Sequence, residues 1–61
     1  MKAVERRLHE QGLGIWERLL RDVVRMGPLS ESAEDLDGFG EVKDYISERI
    51  DAVRRVLEVT A

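Results

Sequence analysis

From Leu13 to Met26 the apolar positions crowd one side of a helix. At about 100° per residue, Leu13, Ile15, Trp16, Leu19, Leu20, Val23, Val24 and Met26 fall on an arc of roughly half the circumference. The opposite arc holds Gly14, Glu17, Arg18, Arg21, Asp22 and Arg25. A helix packed on a single neighbour needs an apolar stripe of only about 100°. This one calls for cover from two sides, and a chain of 61 residues has one other long helix to offer. The remaining cover is expected from a second copy or from another protein.

The pattern extends towards the N-terminus. Val4, Leu8, Gly12, Ile15, Leu19, Val23 and Met26 recur at steps of three and four, which predicts one helix over about residues 2–26. Gly12 and Gly14 are its weak points, each costing about 1 kcal/mol against alanine. Gly12 falls on the apolar line, where a missing side chain would let helix backbones approach closely. Gly27-Pro28 ends the helix, a residue free to take positive φ followed by one that cannot continue the hydrogen-bond ladder.

An acidic connection follows over about 27–40, longer than the usual link between bundle helices. Ser30 can cap a short turn through Glu31, Ala33 and Glu34, with Leu29, Leu36 and Phe39 as apolar anchors. Asp37 or Gly38 is the expected cap of a last helix over about 40–60, whose inner seam is Val42, Ile46, Ile50, Val53 and Leu57, flanked by Tyr45, Ala52 and Val56. Spacing offers i,i+4 ion pairs at Glu17 with Arg21 and Asp51 with Arg55. The expected fold is all-α, a single antiparallel helical hairpin that self-associates into a four-helix bundle, a two-fold dimer being the simplest symmetry.

Composition sharpens this reading. Hydrophobic residues at 43% with charged residues at 38% suit a folded helical chain, while one Trp, one Tyr and one Phe are few for a sheet core. A core this small supplies about 3–5 kcal/mol unless stapled. No cysteine is present to form a disulfide, and one histidine makes a poor start for a structural zinc site. Oligomerisation or folding on a partner is the remaining route. No apolar run approaches a membrane span and no signal-peptide pattern opens the chain, so a cytoplasmic protein is expected.

The net charge of −3 speaks against nucleic acid. Glu31, Glu34, Asp35, Asp37 and Glu41 form an acidic block without a basic residue, so the helices themselves are mildly basic. Arg18, Arg21 and Arg25, with Arg7 earlier, project along one outward stripe. They are the candidates for phosphate contacts, interleaved with Glu10, Glu17 and Asp22 as on an ordinary solvated face.

Other candidates weigh less. Glu5 and His9 lie one turn apart, but the spacing differs from the Glu-x-x-His of di-metal bundles and no glutamate sits on an apolar seam. Gly12-Leu13-Gly14 and Gly38-Phe39-Gly40 are too short for phosphate loops, and nothing assembles a triad. No catalytic residue, cofactor or metal is expected. Arg49, among the inner residues of the last helix, either snorkels to a rim or pairs with an acid on another chain, and Gln11 is a milder case. Trp16 is core, or with Leu20 and Val24 the anchor of a partner interface.

Through Gly27, Leu29 and Glu31 the link is loosely similar to that of the small subunit of exonuclease VII, from which Gly38 and Gly40 depart. Three residues imply no function. The expected function is a non-enzymatic interaction module or accessory subunit that pairs through Leu13, Trp16, Leu19, Leu20, Val23, Val24, Arg49, Val53 and Val56. The alternatives are a regulator or antitoxin-like inhibitor that completes its core on a larger protein, and an RNA- or DNA-binding bundle using Arg18, Arg21 and Arg25.

Overall fold

The computed structural model describes residues 2–59. Two helices, α1 (Ala3–Met26) and α2 (Ala33–Val59), form an all-α hairpin one helix thick, its Cα trace measuring 46 × 16 × 11 Å. Met1 and the expected helix end at about 60 lie outside the described residues. Gly12 and Gly14 leave α1 unbroken, since the ladder on either side continues through them. The expected close approach at Gly12 is absent: a Cβ built there meets nothing within 4 Å.

Gly27 ends α1. Its φ of 73° is a conformation that side chains resist, and its N–H still reaches the Val23 carbonyl at 3.0 Å.

The connection is shorter than the sequence suggests. The last helix starts at Ala33, so the short turn and the expected helix from about 40 are one element. The cap is neither Asp37 nor Gly38 but Ser32, whose Oγ accepts the Asp35 backbone N–H at 3.2 Å. Ser30 supports it: its Oγ accepts the Ser32 N–H at 3.2 Å, and its hydroxyl donates to Asp35 Oδ2 at 2.5 Å. Ser32, Asp35 and the Ser30 hydroxyl between them form a capping box with an inserted relay. With that start secured and Glu34 and Asp35 at the positive end of the helix dipole, propagating through Gly38 and Gly40 is cheaper than nucleating a second helix. Of the expected anchors only Phe39 packs, half-buried beneath Lys43 Nζ at 4.6 Å from its ring centroid; Leu29 is 95% exposed.

Among the described residues only Ile46 and Ile50 are buried. Around them Leu13, Trp16, Leu20 and Val23 of α1 and Phe39, Lys43, Val53 and Leu57 of α2 are half-buried. The α1 line steps 3, 4, 3 and the α2 line 4, 3, 4, 3, 4, the spacing of a coiled-coil seam. The inner line of α1 is therefore rotated from the expected one. Of the sequence seam only Val23 is shared, while Val4, Leu8, Ile15, Leu19 and Met26 stay exposed. Val42, expected on the inner seam of α2, is exposed too. The apolar arc of α1 is so wide that a seam drawn through its middle misses the half that α2 covers.

Candidate interaction surface

Two cross-hairpin contacts orient the faces. Trp16 meets Tyr45 edge to face, ring centroids 6.1 Å apart and planes at 75°. Glu17 Oε1 meets Arg54 Nη2 at 3.7 Å. Tyr45 lies about 100° back round α2 from buried Ile46, and Arg54 about 100° on from Val53. The ring pair and the ion pair therefore lie on opposite sides of the hairpin. In an antiparallel pair, one step back from the contact line on either helix leads to the same side.

That side is apolar. Immediately before the contact residues of α1 stand Gly12, Ile15, Leu19 and Asp22, a line that continues to Val4 and Leu8 at one end and Met26 at the other. Before those of α2 stand Gly38, Val42, Tyr45, Arg49, Ala52 and Val56. Ile15 is 66% exposed, Leu8 62% and Tyr45 58%. Immediately after the contact residues stand Gly14, Glu17, Arg21 and Val24 on α1, and Gly40, Asp44, Ser47, Asp51, Arg54 and Glu58 on α2. One face is two parallel stripes, apolar except for Asp22 and Arg49; the other is charged.

The proposed pairing residues divide accordingly. Leu13, Trp16, Leu20, Val23 and Val53 are half-buried between the helices of one hairpin. Leu19, Arg49 and Val56 stand on the exposed apolar face. Val24 falls on the charged face beside Arg21, Ser47 and Asp51. The sequence reading did not select Val4, Leu8, Val42 or Tyr45 as interface. Their signal is the heptad offset: each lies one position ahead of a contact line, or one or two turns further along the same stripe.

The charged candidates are solvated. Arg18 and Arg21 are exposed, and Arg25 Nη2 holds Asp22 Oδ1 at 3.3 Å. Glu17 reaches across to Arg54 in place of the expected Arg21, and Arg6 pairs with Glu10 at 3.1 Å. His9 is half-buried, and among the described residues no three His, Cys, Asp or Glu side chains gather as metal ligands. No helix of the described chain is long and apolar enough to cross a membrane.

The size of the exposed face can be set against a compact protein. The hairpin exposes 5037 Å². A compact monomer of this mass exposes about 4,000 Å². The excess of about 1,000 Å² matches one partner's share, about 800 Å², of a standard protein interface.

No family model matches the chain, and neither a curated protein nor a solved structure is detectably similar to it, so the three-residue likeness to the small subunit of exonuclease VII gains no support.

Proposed function

We propose that this protein is a non-enzymatic helical interaction module, one hairpin of a four-helix bundle that a second copy completes. The observation that carries the reading is the double apolar stripe of Ile15, Leu19, Val42 and Tyr45 on one face, set against a core in which Ile46 and Ile50 are the buried side chains among the described residues. A face of this kind on a chain this small is a core awaiting its other half.

Sedimentation equilibrium with circular dichroism on the same sample tests it. The wild-type chain is expected at twice its own mass and strongly helical. Ile15→Glu puts a charge into the face without touching Ile46 or Ile50, and is expected to sediment as a monomer. A wild-type chain that is monomeric and fully helical overturns the reading. A monomeric and weakly helical one transfers the face to a larger protein partner.

A further inference from the structure

Two identical hairpins can join these faces about a two-fold axis in two ways. With the axis across the helices, α1 lies on the partner's α1 and the connections point to opposite ends. With the axis along the helices, α1 lies on the partner's α2 and both connections share one end. The charges bordering the stripes separate the two. Arg18 and Arg25, seven residues apart, stand one step outside Leu19 and Met26 and line the outer edge of α1. Glu41 and Glu48, also seven apart, stand one step outside Val42 and Arg49 and line the outer edge of α2. All four are exposed, and Arg25 pairs with Asp22 of its own helix. The edge of α1 is basic, and the edge of α2 is acidic over Glu41 and Glu48 and ends in Arg55, one step outside Val56.

We infer that the second copy docks with its α2 on α1, both connections at the same end, each arginine edge facing the partner's glutamate edge. An axis along the helices preserves level. Trp16 with Tyr45 and Glu17 with Arg54 set the level of one helix against the other, and midway between these registers Arg18 stands opposite Glu48 and Arg25 opposite Glu41. Both pairs then form at each of the two edges. The alternative axis sets each edge against its own copy, arginine edge against arginine edge, and like charges facing each other there select against it. The arginine stripe is thereby read as a docking edge for a second copy.

The inference rests on the self-association proposed above, and two measurements keep their failures apart. The chain has no cysteine, so Leu29→Cys, at an exposed site in the connection, takes a single spin label. Dipolar spectroscopy is expected to find the two labels of a dimer near one end, at well under the 46 Å length of the hairpin. The double variant Arg18→Glu/Arg25→Glu is expected to keep its helicity and to weaken the dimer about tenfold or more at low salt. Mixing it with Glu41→Arg/Glu48→Arg restores wild-type affinity. A dimer whose labels lie a full hairpin length apart, or whose affinity the arginine reversal leaves unchanged, overturns the docking mode and leaves self-association standing. A monomeric wild-type chain overturns both.

Discussion

Ser32 Oγ accepts the backbone N–H of Asp35, and the Asp35 carboxylate accepts the Ser30 hydroxyl in return. This exchange starts α2 at Ala33 and draws the acidic block from Glu34 to Glu41 into the helix. A serine cap replaced by alanine costs about 0.5–2 kcal/mol. Ser32→Ala is expected to lower stability by that amount and to fray the turns as far as Gly38, where two nearby glycines give the helix little support. Amide exchange would show it: Leu36 and Asp37 lose more protection than Ile50 does. Unchanged exchange at Leu36 would mean that the cap does not decide where α2 begins.

Gly14 and Gly40 sit on the charged face, and a Cβ at either meets nothing within 4 Å. Both are ordinary helical positions, so Gly14→Ala and Gly40→Ala are each expected to raise stability by about 0.5–1 kcal/mol. Gly27→Ala has the opposite sign. At φ 73° a Cβ strains the backbone by about 1–3 kcal/mol. Thermal melts of the three variants check the signs together, and a Gly27→Ala protein as stable as wild type would show that α1 ends without that turn.

The extent of α1 was legible because Gly27-Pro28 is a strong stop and the apolar positions repeat at steps of three and four. The start of α2 was not: Ser30 suggested only a short turn and Asp37 or Gly38 a later cap, whereas the hydrogen-bonded cap at Ser32 decides nucleation and the glycines at 38 and 40 only tax propagation. Ile46, Ile50, Val53 and Leu57 were legible as an inner line because α2 is apolar there and charged opposite. On α1 the arc from Val4 to Leu13 around the helix offers two seams, and periodicity alone cannot tell which one α2 takes. Tyr45 decides it by meeting Trp16, a contact between residues that no local pattern links.

Ile46 and Leu19 separate the core of the hairpin from its exposed face. Ile46 is 2% exposed, and Ile46→Ala removes buried methyl groups at a cost of about 2–5 kcal/mol. Most of what a core this small supplies would be lost, so helicity is expected to collapse at concentrations where the wild-type chain is folded. Leu19 is 42% exposed, and Leu19→Ala is expected to act through assembly. Its melting temperature should fall at low protein concentration and recover at high concentration, because association is linked to folding. Concentration-independent melting of both variants would place Leu19 outside any interface.

Arg49 interrupts the α2 stripe between Tyr45 and Ala52, the one charge on a line of otherwise small or apolar residues. Its methylenes can lie along the apolar face while the guanidinium reaches the rim, so that the position tolerates one packing depth and opposes others. Arg49→Leu makes the stripe continuous from Val42 to Val56. The dimer is then expected to tighten, and a fraction of the protein to move to masses above the dimer, since the polar residue that limited the packing is gone. Light scattering over a concentration series reads both effects. A variant with wild-type mass and wild-type dissociation would show that Arg49 lies beyond the interface, and the stripe would then have to be redrawn through Val42 and Tyr45 alone.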